Sequence, residues 1–321
     1  MNIAIIAGGP SEEREISLNS ARLITDHINA EKYRYRLLIM GDRNFVDAQS
    51  DTELDLNDFS LTIEQGKINF DFAFIMIHGR PAENGKLQGY LDWMGVPYST
   101  SGVLCSALTF NKEFCKNYLK PFGVPMARSV QIRKTMPVSK DIIPPLGWPV
   151  FVKPNNNGSS VAVTKVFRWE DLESALEKVW NVDEEALVEE FIDGVEYSAS
   201  ILKSGTEYIR FPITEIRPAK EFFDYEAKYQ GASEEITPAR LSDEQVTQCL
   251  DLSEKIFRIL DCDGICRFDY ILKDDTFYFL EVNTIPGMGP TSMVPQQVLA
   301  KGWTVTQFID VLIEANLKVS D

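Results

Sequence analysis

Two apolar runs near the C-terminus constrain this chain most. Residues 264–272 and 276–283 each read as a strand, and the polar Lys273-Asp274-Asp275 between them fits a tight hairpin. Side chains alternate along a strand, so Arg267 and Asp269 share one face, as do Glu281 and Asn283 on the neighbour. These four stand out as polar in apolar surroundings, and a carboxylate buried without a partner is costly. Two answers are open. The oxygens of Asp, Glu and Asn suit a hard divalent ion such as Mg2+, with phosphate oxygens completing its octahedron. A metal-free network of Arg267 with the two acids would also satisfy them.

The 321 residues suggest two or three domains of ordinary size, and 44% apolar with 25% charged residues is the composition of a folded protein. The net charge of −16 is spread along the chain, which argues against a nucleic-acid or anionic-membrane partner. Any phosphate must then be held by a few placed lysines and metal ions. No segment approaches membrane-spanning length, and the apolar start breaks at Gly8-Gly9, too early for a signal sequence. Five cysteines without a CxxC pair fit reduced thiols in a cytoplasm, and two histidines make a zinc site improbable.

The first hundred residues alternate between strand and helix patterns. Strands are expected at 2–7, 35–40 and 72–77, helices at 11–27 and 85–94, and a short strand at 96–98. That is the pattern of an open parallel sheet with crossover helices, whose ligands sit at the carboxyl ends of strands, where Gly8-Gly9 and His78-Gly79 fall. A helix at 105–122, strands at 148–153 and 161–166 and a helix at 169–180 form a second block. The strand 186–191 is read as opening the last block, which ends in a helix at 305–317.

Between the strands of the second block, Asn155–Ser160 has the character of a phosphate cover: glycine admits close approach, and hydroxyls and backbone amides donate to anionic oxygens. An ordinary turn has the same composition. The stretch 220–229 packs aromatics between charges without periodicity, which fits a lid over a ligand or a loop packed on its domain. Acids at 12–15 open a helix, where its dipole favours them whatever the function. The turn-rich 283–292 offers backbone amides beside the carboxylate hairpin.

Read together, the pieces resemble the D-alanine–D-alanine ligase family of the ATP-grasp superfamily over nearly the whole chain. The matching stretches are 8–18, His78-Gly79 with Glu83-Asn84-Gly85, 87–89, Pro97-Tyr98 before Ser101-Gly102-Val103, Val152-Lys153-Pro154 and Gly158-Ser159-Ser160-Val161. They continue with 223–229, 280–284 and Pro286-Gly287-Met288. Their order and spacing carry the resemblance. It implies an α/β, three-domain ATP-grasp architecture: an N-terminal open parallel domain over 1–99, then ATP-grasp subdomains over 100–186 and 187–321. It also implies ATP-dependent joining of two D-alanines through an acyl phosphate for peptidoglycan, in the cytoplasm, by a homodimer. The alternatives within and beside this reading are a D-lactate or D-serine acceptor and a non-catalytic nucleotide-binding relative.

By the same resemblance, Glu13 would hold the first ammonium and form a trio with Ser159 and Tyr229. Lys112, Lys153 and Lys228 would contact phosphates, with Ser160 and Phe222 in the nucleotide set. Glu189, Glu190, Phe191 and Ile192 would line the adenine slot, and Glu196 would take the ribose. Asp269, Glu281 and Asn283 would hold two Mg2+ ions, with Mn2+ as a substitute. Arg267 and the Gly287 amide would stabilise the oxyanion, and His78, Ser292 and the Met293 amide would complete the substrate pocket. The chain departs from the family pattern with Ala82, Asn84, Asn111 and Ala162 where Gly, Asp, Asp and Gly are usual.

Overall fold

The structure, a computed structural model, describes residues 1–139, 141, 145–158, 161–218 and 233–317. Its first sheet is built from the apolar runs of the N-terminal region. Strand β1 (Asn2–Gly8) lies between β2 (Arg34–Met40) and β6 (Phe72–Ile75) and is parallel to both; β3 (Phe45–Asp47) adds an antiparallel edge. A separate hairpin, β4 (Ser60–Ile63) and β5 (Gly66–Asn69), precedes β6. Helices α1 (Arg14–His27) and α2 (Lys86–Met94) follow the two buried strands. As expected of an open parallel sheet, Gly8-Gly9 stand at the carboxyl end of β1 and His78-Gly79 shortly beyond that of β6.

Three expected elements are shorter here. Residues 11–13 form a turn, with Arg14 N–H donating to Ser11 O, so α1 starts later than the sequence pattern suggests. Strand β6 ends at Ile75, and the strand expected at 96–98 is a single bridge from Ala73 to Tyr98.

The helix expected over 105–122 is broken. Helix α3 (Val103–Phe110) ends at Asn111, whose extended backbone and side chain start α4 (Lys112–Leu119). Asn111 Oδ1 accepts from Phe114 N–H at 2.9 Å, the bond an N-cap makes. The second sheet runs β7 (Ser129–Arg133), β10 (Glu185–Glu190), β8 (Val150–Pro154), β9 (Thr164–Val166), all antiparallel, with α5 (Leu172–Trp180) packed on it. The expected strand at 161–166 starts only at Thr164, because Ala162 has φ +56° and cannot continue an extended chain. The strand placed at 186–191 does not open the last block. It is β10, hydrogen-bonded on both sides within this second sheet.

The third sheet runs β14 (Ser233–Ile236), β13 (Thr214–Pro218), β11 (Val195–Ser204), β15 (Ile265–Lys273), β16 (Thr276–Asn283), with β12 (Glu207–Arg210) also on β11. Helices α6 (Asp243–Ile259) and α8 (Val305–Asn316) open with capping boxes, Ser242/Gln245 and Thr304/Gln307. Helix α7 (Met293–Ala300) lies between β16 and α8 in the chain. The buried apolar residues of the first sheet are continuous with Val294, Val298, Phe308 and Ile309 of α7 and α8, so the C-terminus closes the N-terminal core.

Candidate active site

Strands β15 and β16 form the expected hairpin, with Arg267 opposite Asn283 and Asp269 opposite Glu281. A bulge after Asp269 shifts the register there, which re-aims the face that carries the four polar residues. Arg267 Nε and Nη2 donate to Asp269 Oδ1 and Oδ2 at 3.0 and 2.9 Å, and Asn283 Nδ2 donates to Oδ2 at 3.0 Å. From the adjacent strand, Ser198 Oγ donates to Oδ1 at 2.7 Å. The buried arginine network is therefore present, and Glu281 Oε2 lies 3.4 Å from the Lys112 ammonium.

Lys112 reaches Glu281 because α4 is bolted onto the loop after β8. Its backbone N–H donates to Asn155 O at 3.0 Å, Glu113 N–H donates to the buried Asn155 Oδ1 at 2.9 Å, and Lys112 Nζ donates to Asn157 O at 2.7 Å. Across the sheet, Lys153 Nζ lies 2.5 Å from Glu189 Oε2, an ion pair rather than an aligned hydrogen bond. Lys116 Nζ donates to Glu189 Oε1 at 3.1 Å and to Ala127 O at 2.7 Å. Burial alone would lift the Glu189 carboxyl, but the two ammonium groups hold it below its usual range; burial draws Lys116 down.

Between the second and third sheets lies a cleft of about 610 Å3, the size of a small-molecule site. Of the residues singled out from the sequence, Lys112, Lys153, Glu189, Glu190, Phe191, Ile192, Glu196, Asp269 and Glu281 line it. Ile216, Ile271 and Leu280 supply apolar wall that the sequence did not mark. Glu190 turns its carboxylate onto Arg128, whose backbone N–H donates to it at 2.8 Å, so its backbone is what the cleft meets. Phe191 is flanked by Phe151, centroids 5.8 Å apart, and by Lys165 Nζ 3.7 Å from its centroid, a cation over a ring face.

A smaller recess next to it is bordered by Glu83, Lys112, Gly158, Glu281 and Asn283. Glu13 enters this region from the first domain: a Cβ on Gly158 would stand 3.3 Å from its Oε2, and one on Gly79 3.5 Å. Glu83 keeps some solvent contact as a residue, yet its carboxyl is enclosed, accepts from Gly79 N–H at 2.9 Å, and is pushed up to about 8 by burial and then by the charge of Glu13. The sequence reading gave Glu83 no chemical role, although Glu83-Asn84-Gly85 is one of the stretches that carry the family resemblance. His78 is 4% exposed; Nδ1 bonds Ile285 O at 3.0 Å and Nε2 lies 3.3 Å from Ser20 Oγ, which accepts from Met288 N–H. It ties α1 to the loop carrying Gly287. Ser292 is the N-cap of α7 yet makes no capping bond with its side chain, and its Oγ would lie 3.1 Å from a Cβ on Gly287. Ser159, Ser160, Phe222, Lys228 and Tyr229 lie outside the described residues.

The oxygen set Asp269, Glu281 and Asn283 fits a hard divalent cation by donor chemistry. Among the described residues no group of three or more His, Cys, Asp or Glu is placed to hold a metal ion; here the third donor is an amide.

A family model for the D-ala D-ala ligase N-terminus matches residues 2–101, and one for the D-ala D-ala ligase C-terminus matches residues 119–314. The chain belongs to the D-alanine–D-alanine ligase family. A D-alanine–D-alanine ligase of Phocaeicola vulgatus is 44% identical over 317 residues, covering 97% of this chain and 98% of the relative. Among solved structures, the Bacillus anthracis D-alanine–D-alanine ligase complexed with ATP superposes with TM-score 0.83 at 29% identity, over 99% of this chain and 98% of that one. The VanG D-Ala:D-Ser ligase from Enterococcus faecalis gives TM-score 0.86 at 28% identity, over 98% of this chain and 99% of that one. Membership of the D-alanine–D-alanine ligase family accounts for a cleft whose walls come from two sheets and whose floor is the hairpin. It also explains why the recess beside the hairpin draws residues from all three sheet-bearing regions.

Proposed function

We propose that this chain is an ATP-dependent ligase that joins two D-alanines, activating one carboxylate as an acyl phosphate that the amine of the second attacks. The observation that carries the reading is the convergence of Lys112, Lys153, Asp269 and Glu281 on the cleft bordered by Glu189 and Glu196. Lys112 and Lys153 meet phosphate charge, Glu189 to Ile192 receive the base and Glu196 the ribose. Asp269, Glu281 and Asn283 would hold Mg2+, or Mn2+ in its place, which supplies charge neutralisation at the transferring phosphoryl group. Glu13 takes the ammonium of the first D-alanine, and Arg267 with the Gly287 amide faces the developing oxyanion. Ser292 and the first amides of α7 receive the second carboxylate. The roles given to Ser159, Ser160, Phe222, Lys228 and Tyr229 rest on the family resemblance.

In the same reading, the three units follow the three sheets, with the second ending after β10. A homodimer rests on the family resemblance, and Trp93 (85% exposed), Leu104 (78%) and Phe114 (56%) are large apolar side chains left at the surface. Five free, buried cysteines fit a reducing cytoplasm, and no described helix is long and apolar enough to cross a membrane. Similarity to a D-Ala:D-Ser ligase supports a second reading in which the acceptor is D-serine.

A panel of D- and L-amino acids and D-lactate, with Mg2+, ATP and phosphate release as readout, tests both. Turnover with D-alanine alone and formation of the D,D-dipeptide is the expected result. Preference for D-serine as acceptor would favour the second reading, and equal turnover with L-alanine would overturn both.

A further inference from the structure

We propose that Lys116, which does not line the cleft, is a positioning residue that supplies the rear counter-charge to Glu189 and so leaves the positive charge of Lys153 available to nucleotide phosphates. The proposal rests on the nucleotide reading of the cleft.

The geometry is a row of three charges. Lys116 Nζ reaches Glu189 Oε1 at 3.1 Å from behind the wall, and Lys153 Nζ reaches Oε2 at 2.5 Å from the cleft side. The side chains of Lys116 and Glu189 are 8% and 4% exposed, so water does little to screen them. With both lysines in place the row carries one net positive charge, and it faces the ligand through Lys153. Without Lys116, Glu189 and Lys153 neutralise one another, and a phosphate meets a pair of zero net charge. A second bond, from Lys116 Nζ to Ala127 O at 2.7 Å, fixes the ammonium to a residue that itself lines the cleft. Lys116 falls in the buried stripe of α4 with Cys115 and Leu119, an unusual place for a lysine unless a carboxylate is there to meet it.

This role makes a demand that simple wall packing does not: the effect must grow with phosphate. Titration of ATP, ADP and adenosine into the full-length protein and into Lys116→Met, with Mg2+ present, reads it directly. Adenosine should bind both proteins within about twofold, while ADP and ATP bind Lys116→Met about tenfold more weakly, the scale of one charge-assisted contact. Equal weakening of all three ligands, or unchanged ATP binding, overturns the proposal. A second comparison decides by itself should Lys116→Met fail to fold. In a Glu189→Gln background, adding Lys116→Met should leave ATP affinity within about twofold, because no carboxylate remains to claim Lys153. A tenfold gap there overturns the proposal. Wild-type protein that binds none of the three ligands would overturn the nucleotide reading itself, and with it this one.

Discussion

Lys112 Nζ and Glu281 Oε2 stand 3.4 Å apart across the gap between α4 and β16, joining the loop-bound helix of the second block to the hairpin of the third. The pair matters because each partner has work beyond the other. Glu281 carries a negative charge that Lys112 meets from the cleft side. Glu281→Gln keeps the shape and removes that charge. Turnover should fall at least ~100-fold, about 2.7 kcal/mol of transition-state stabilisation, with the melting temperature nearly unchanged. Steady-state phosphate release and thermal melting check it; activity within tenfold of wild type would make Glu281 a structural acid.

A second carboxylate answers to pH. Glu215 on β13 is 1% exposed in its side chain and receives Arg240 through Nε at 3.0 Å, Nη2 at 2.9 Å and the backbone N–H at 3.2 Å, with Arg217 beside it. The hydrogen bonds from Arg240 hold its carboxyl down at about 2. A carboxyl lowered on folding contributes stability above its unfolded value near ~4.3 and loses it as pH falls from there toward 2. Glu215→Gln should cost about 2–3 kcal/mol at pH 7, and the difference from wild type should shrink steadily below pH ~4. Urea unfolding across pH measures it; a gap that stays constant down to pH 2.5 refutes the assignment.

The hairpin was legible because four polar residues interrupt apolar strands, and alternation alone puts them on one face. The parallel N-terminal sheet was legible for a related reason, β1 from Ile3 onward and β6 being uninterrupted apolar runs. Strand β10 was misplaced because periodicity reports that a segment is extended, not which sheet will receive it. Its partners β7 and β8 come earlier in the chain, and only tertiary pairing joins them. The break at Asn111 went unread since a cap inside a helical pattern shows only when the second helix is anchored elsewhere, here on Asn155. Lys116 and Glu83 were not marked as functional residues for the same physical cause: Glu189 reaches Lys116, and Glu13 and Lys112 set the field around Glu83, only once the chain is folded.

Ala162 carries a strain that glycine would lack. Its φ of +56° lies in the left-handed region, where an L side chain costs about 1–2 kcal/mol. Ala162→Gly removes that cost but frees the unfolded chain by about 0.4–1 kcal/mol. The net should be neutral to stabilising by about 0.5–1 kcal/mol, opposite in sign to the usual Ala→Gly change. Differential scanning calorimetry decides, and a loss of 1 kcal/mol or more would show that the methyl group packs better than its backbone suggests.

Gly264 and Gly123 separate backbone strain from steric space. Both have positive φ, +65° and +68°, so an alanine at either meets the same conformational penalty of about 1–2 kcal/mol. Their surroundings differ. A Cβ on Gly123 meets nothing within 4 Å, whereas one on Gly264 would lie 2.3 Å from Ser99 O and 3.1 Å from its carbonyl carbon. Those are backbone atoms of the segment linking the first domain to α3, and Ser101 Oγ binds the chain again at Asp263 through O at 3.0 Å and N–H at 3.0 Å. The linker cannot step aside without releasing that clasp at the start of β15. Gly123→Ala should therefore cost about 1 kcal/mol and leave turnover intact, while Gly264→Ala should cost at least ~2 kcal/mol more, since it must also displace backbone. It should lower activity too, because β15 carries Arg267 and Asp269. Parallel melting curves and turnover assays on the two variants measure the difference; equal losses would mean that the contact between linker and hairpin yields freely and does not fix the floor of the site.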